Sequence, residues 1–95
     1  MIDVPRPLFP LGRVVGTPAA VEALQAVGTE PSELLDRHVT GDFGDICEED
    51  LGLNEAAIVD GDRILSVYQL GDDLTIWIIT DADRSSTCLM LPEEY

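Results

Sequence analysis

Between Gly41 and Asp62 the chain reads GDFGDICEEDLGLNEAAIVDGD, with eight carboxylates (Asp42, Asp45, Glu48, Glu49, Asp50, Glu55, Asp60 and Asp62) and no basic residue. Such a run could bind a hard cation, serve acid–base chemistry or dock on a basic surface. For a cation, Asp42, Asp45, Glu48 and Glu49 could offer oxygen ligands, but the D-x-D-x-D-G-x5-E spacing of a calcium loop is absent here and around Asp81 and Asp83. For two-metal phosphodiester chemistry, Asp60, Asp62, Asp81 and Asp83 could form a carboxylate set. The chain has no lysine to steady a phosphate, however, and its own field repels that substrate. His38, the sole histidine, could pair with Cys47 or Asp45 as a base and nucleophile. A helix start near Cys47 lowers a thiol pKa, whereas Glu48, Glu49 and Asp50 oppose the thiolate. A structural histidine, an inert thiol and no catalytic, cofactor or metal residues are therefore expected.

The third use, docking, follows from charge. Nineteen acids against five arginines give a formal net charge of -14 on 95 residues. That field repels nucleic acid and anionic membrane and attracts basic partners. Duplex DNA carries about one negative charge per ~1.7 Å of axis, and a loop and helix lined with carboxylates imitate part of that array. The candidate partner-binding face is Asp42, Asp45, Glu48, Glu49, Asp50 and Glu55, with Phe43 and Trp77 as candidate aromatic contacts. The expected partner is a basic protein surface of a nucleic-acid-handling or defence complex. Arginine without lysine and abundant Asp are equally what a GC-rich or salt-adapted genome produces, but eight of the 19 acids fall within 22 residues. Clustering favours a function for them.

The elements that must position these residues are legible from pattern. Met1 to Pro10 holds three prolines and reads as an extended arm. Leu11 to Gly16 suits a short strand. Thr17 and Pro18 suit an N-cap and first helical position, followed by a stripe of Ala19, Ala20, Val21, Leu24 and Val27 that Gly28 closes. Thr29 to His38 predicts a second helix. Asp45 and Glu48 resemble a capping box opening a third helix to Asp60, which Gly61 ends. Arg63 to Leu70, Leu74 to Thr80 and Ser86 to Leu91 have strand composition and short connections, which predict an antiparallel meander. The expected fold is a single small α+β domain over 11–95: about three N-terminal helices packed on a C-terminal antiparallel sheet of three or four strands.

Both faces of LTIWIIT are apolar, so the second sheet face is expected to be covered by the N-terminal arm or by a second copy in a homodimer. Trp77 and Tyr68 are expected to face each other across neighbouring strands, and Tyr95 to fold back. In DADRSS, Asp81 and Asp83 are expected to bond backbone amides and Arg84 to pair with an acid. Cys47 and Cys88 read as separate, reduced thiols. An acid and prolines near the N-terminus argue against a signal peptide, and the apolar runs fall short of the roughly 18 residues of a membrane span, so a cytoplasmic location is expected.

The segments PLGRVVGTP (Pro10 to Pro18), RHVTGDFGDICEED (Arg37 to Asp50), NEAA (Asn54 to Ala57), DRILSVY (Asp62 to Tyr68), WIITDADRSST (Trp77 to Thr87) and LPEEY (Leu91 to Tyr95) carry a resemblance. From Pro7 to Tyr95 the chain resembles a family of short proteins of bacterial plasmids and integrative elements labelled plasmid-related protein or type I restriction endonuclease subunit M. The resemblance implies a mobile-element origin, and small acidic products of such elements resemble antirestriction and anti-CRISPR inhibitors. The chain departs from the family pattern at Phe43, where tryptophan is usual, and at Leu51 and Gly52, where polar or basic residues follow the acids. It has neither a glycine-rich cofactor loop nor an Asn/Asp-Pro-Pro-Tyr/Phe tetrapeptide, which excludes methyl transfer.

Overall fold

The computed structural model describes residues 7–95. In chain order they form β1 (Arg13–Gly16), α1 (Pro18–Val27), α2 (Pro31–Val39), α3 (Glu48–Asp60), β2 (Ile64–Gln69), β3 (Thr75–Thr80), β4 (Ser86–Met90) and a 3-10 turn (Pro92–Glu94). The α+β class and the β2-β3-β4 meander agree with the sequence reading. The order does not fully agree: a strand leads, and the sheet is mixed, in the order β1-β4-β3-β2, with β1 parallel to β4. Strand β1 lies beyond β4, and the intervening helices and strands provide the long connection that a parallel pair requires.

Local chemistry explains most element ends. The Thr17 hydroxyl accepts the Ala20 N–H at 3.2 Å, Pro18 opens α1, and Gly28 closes it in the left-handed region. The third helix starts at Glu48, not at Asp45, with Cys47 as a cap whose side chain accepts no hydrogen bond. Asp45 is drawn away from the capping role by the sheet, because its carboxylate accepts the Gln69 N–H at 3.1 Å. Glu48, Glu49 and Asp50 occupy the first turn of α3 instead, where their charge compensates the helix dipole.

Register places Ile64, Ser66, Tyr68, Ile76, Ile78, Thr80, Thr87 and Leu89 on one sheet face, and all are buried. Helical side chains cover that face in two clusters. Ala20, Leu24 and Leu34 pack with Tyr68, Ile76, Ile78 and Leu89, while Phe9, Val39, Phe43 and Ala57 gather around Ile64. The opposite face presents Leu65, Val67, Trp77, Ile79, Cys88 and Met90.

Two expectations about that second face are corrected. Trp77 is opposite Val67, and Tyr68 is opposite Ile76, so the two aromatics point to different faces. A one-residue offset reverses the side of a strand side chain. The arm, where described, lies on the helix side: Leu8 N–H donates to Val39 C=O at 2.8 Å, and the buried Phe9 ring meets His38 edge-on at 5.2 Å. The part of the arm before Pro7 lies outside the described residues. What does reach the second face is Tyr95, whose ring lies 5.6 Å from Trp77 with the Arg63 guanidinium 5.3 Å from it.

The outer edge of β2 is closed without a fifth strand. The Asn54 side chain donates to Leu65 C=O at 2.7 Å and accepts the Leu65 N–H at 3.2 Å. Farther along, Val67 N–H donates to Phe43 C=O at 3.0 Å and Asp45 N–H to Val67 C=O at 2.7 Å. The chain approaches so closely that a Cβ on Gly44, already at φ +76, would sit 2.1 Å from Val67 O. Loop and amide together satisfy groups that would otherwise recruit a foreign strand. Asn54→Ala leaves the Leu65 N–H and C=O without their partner and is expected to cost about 1–3 kcal/mol. Urea denaturation checks this, and an unchanged midpoint would refute the role of the amide.

Candidate functional site

The six carboxylates of the predicted face divide into two groups. Asp42 is held by Arg37, with Nε to Oδ2 at 2.7 Å and Nη2 to Oδ1 at 3.2 Å. The guanidinium beside it keeps its carboxyl below the usual carboxylate range, and the Gly44 amide adds to this. Arg37 also lies 4.6 Å from the Tyr68 ring centre, and the Tyr68 hydroxyl donates to Asp42 C=O at 2.7 Å. Burial pushes that phenol up to about 12. Asp42 and Asp45 are thus structural acids at the rim of the sheet. Glu48, Glu49, Asp50 and Glu55 are exposed on α3 and make no side-chain hydrogen bond among the described residues. The only ion pair among those residues is Arg37–Asp42.

The remaining acids do not converge. Among the described residues no three His, Cys, Asp or Glu side chains form a potential metal site. Asp83 accepts the Ser85 amide at 3.0 Å, as expected for its turn, while Asp81 accepts the Ser86 hydroxyl at 2.6 Å rather than an amide. Arg84 pairs with no carboxylate, contrary to expectation. It donates to the carbonyls of Ala57 at 2.8 Å and Asp62 at 2.6 Å, where the C-terminal end of α3 concentrates negative partial charge.

Of the two candidate aromatics, Phe43 is only 3% exposed and its ring is enclosed beside His38, which removes it from any partner surface. Trp77 remains partly accessible beneath Tyr95. The structure also reveals Asn54 as a key residue that the sequence reading passed over. Its signal was a lone amide within the apolar phase of LGLNEAAI.

His38 meets neither Cys47 nor Asp45. Its Nδ1 is 2.5 Å from Ser66 Oγ and its Nε2 is 2.9 Å from Thr80 Oγ1. Thr80 Oγ1 is 2.7 Å from Thr87 Oγ1, and the Thr87 hydroxyl donates to Leu11 C=O at 2.7 Å. That carbonyl sets the direction of the whole chain. With its proton on Leu11, Thr87 must accept from Thr80, and Thr80 must accept from Nε2–H. Nδ1 then accepts the Ser66 hydroxyl proton. Every polar atom is satisfied with a neutral imidazole, and none is left to activate a nucleophile.

Burial lowers His38 from 6.5 to about 4. The folded state therefore stays neutral where the unfolded chain takes up a proton, so this contribution to stability is complete above 6.5 and is lost as pH falls toward 4. The span corresponds to about 3 kcal/mol at 1.36 kcal/mol per unit. Denaturant titrations from neutral pH to about 4 should show this loss for the native chain and a smaller one for His38→Gln. Parallel profiles for the two would show that His38 does not drive the acid sensitivity.

Scans against family models, curated proteins and solved structures return no match. Among the described residues no helix is long and apolar enough to cross a membrane.

Proposed function

We propose that this chain is a small, non-enzymatic, acidic protein-binding protein of mobile-element origin acting in the cytoplasm. Its α3 carboxylates engage the basic surface of a host nucleic-acid-handling or defence complex in place of DNA, in the manner of antirestriction and anti-CRISPR inhibitors. The observation that carries this reading is that Glu48, Glu49, Asp50 and Glu55 stay exposed and uncompensated while the neighbouring Asp42 and Asp45 are engaged internally. Glu48 and Glu55 are seven residues apart on the helix, so they share a face about 10 Å apart. Their charges are available to a partner without any rearrangement of the fold.

The test is capture from a lysate of the native host at low and high salt, followed by competition between the captured protein's DNA and this chain. Charge reversal at Glu48, Glu49 and Asp50 to lysine is expected to reduce capture at least tenfold with an unchanged circular dichroism spectrum. The Gln/Gln/Asn variant, milder for the helix, should show an intermediate loss. Full capture by the reversed protein would place the interface elsewhere and end this reading.

A second reading, an accessory module that homodimerises through its sheet, is favoured by the apolar face of Leu65, Val67, Trp77, Ile79 and Met90, which lies opposite the helix-covered core face. It requires a concentration-dependent dimer in sedimentation, and a monomer at every concentration would eliminate it.

A further inference from the structure

The two sheet edges are treated differently. The β2 edge is closed by Asn54 and the 43–45 loop, whereas all four residues of β1 are exposed, Val14 at 44% and Val15 at 38%. The Arg13 N–H donates to Ser85 C=O and the Thr17 N–H to Leu89 C=O, which directs the odd-numbered backbone groups of β1 toward β4. Alternation turns the N–H and C=O of Val14 and Gly16 to the outer edge, where no strand among the described residues pairs with them. An apolar strand with unpaired groups is a template for another strand.

Charge identifies the other strand. Between Asp3 and Glu22 the sequence contains no acid, although the chain has 19 of them. Two molecules of charge -14 can therefore meet along β1 without opposing acids from that segment, and Glu94, the acid bonded to Thr17 at its end, is one that a basic residue of the second copy could offset. The register is equally specific. Matching Val14 with Gly16 of the second copy, and the reverse, joins all four open backbone groups and puts the two Val15 residues on the twofold axis. Arg13 then lies opposite Thr17 of the second copy. The Thr17 hydroxyl holds Glu94 Oε1 at 2.7 Å, and the Leu91 amide donates to the same oxygen at 2.9 Å. Arg13, Val15 and Thr17 alternate onto the same sheet face, so each Arg13 meets a carboxylate already fixed in place. Arg13 makes no side-chain hydrogen bond within its own chain among the described residues.

We infer that a second copy of this chain pairs antiparallel along β1, joining two sheets into one of eight strands, with Arg13 of each copy set against Glu94 of the other. This inference rests on the reading that the chain self-associates through its sheet, and it locates the contact at the edge instead of the face. On the other side of the sheet, Val14 lies opposite Gly16 of the second copy, which has no side chain of its own there and whose nearest side-chain neighbour is Val21.

Sedimentation equilibrium of the full chain is expected to show a species of twice 10.3 kDa. Arg13→Glu, at an exposed position, should weaken it at least tenfold, and Trp77→Glu should leave it unchanged. In a Cys47→Ser/Cys88→Ser background, Val15→Cys should form an interchain disulfide on mild oxidation. Facing residues of a non-hydrogen-bonded pair are about 4.5 Å apart at Cα, within the ~4.4–6.8 Å that a disulfide spans. Val14→Cys, facing Gly16, should not crosslink. A dimer broken by Trp77→Glu but indifferent to Arg13→Glu would overturn edge pairing and keep the sheet-mediated reading. A monomer throughout would overturn both, and a Val15→Cys dimer that fails to crosslink would overturn the register.

Discussion

A buried neutral imidazole is the constraint on which the rest of this structure depends. His38 enters the core from α2 and is bonded to Ser66 on β2 and Thr80 on β3, with Thr87 on β4 continuing the chain to the Leu11 carbonyl. Four polar side chains in an apolar interior are tolerable only when each has a partner, and no buried side-chain polar atom among the described residues lacks one. Because the bonds run in a single direction, one helix, three strands and the segment entering β1 must be placed together. Phe9 and Phe43 meet the imidazole edge-on and shield it from water. The same enclosure that makes His38 structural removes it from chemistry.

The acidic segment has two structural jobs before it has any functional one. Asp42 fixes the loop through Arg37, and Asp45 extends the β2 ladder by offering a carboxylate to the Gln69 amide. Three residues later the acids change role and sit in the first turn of α3, where the helix dipole favours them. A run that looks uniform in sequence is thus partitioned between internal hydrogen bonding and solvent-facing charge.

With one ion pair among the described residues, the surplus negative charge is not neutralised within the fold. Arg37 and Arg84 are both engaged in holding loops and helix ends, and Arg63 lies over Tyr95. Such a surface is suited to a basic partner, while the segment around β1 contributes no acid to it. Docking on a basic complex and edge pairing therefore use different parts of the molecule, α3 and β1, and need not compete.

Local pattern was enough to locate α1 with its Thr17 cap and Gly28 stop, the three strands of the meander and the exposed acids of α3, because a cap or a periodicity involves residues a few positions apart. Those acids were the legible part of the candidate site. Pattern misassigned Asp45 as a helix cap, offered Phe43 to a partner and paired Trp77 with Tyr68. In each case the deciding contact lay on another element: Asp45 bonds a strand 24 positions away, Phe43 packs beside His38 of α2, and the β2–β3 register sets Trp77 opposite Val67. By itself the sequence determined an acidic α+β domain with its helices and strands nearly in place. Tertiary structure alone decided that β1 runs parallel to β4, that Asn54 closes an edge and that His38 is sealed in the core. Those outcomes depend on which backbone groups and side chains must satisfy one another once water has been excluded, and no local window contains both partners.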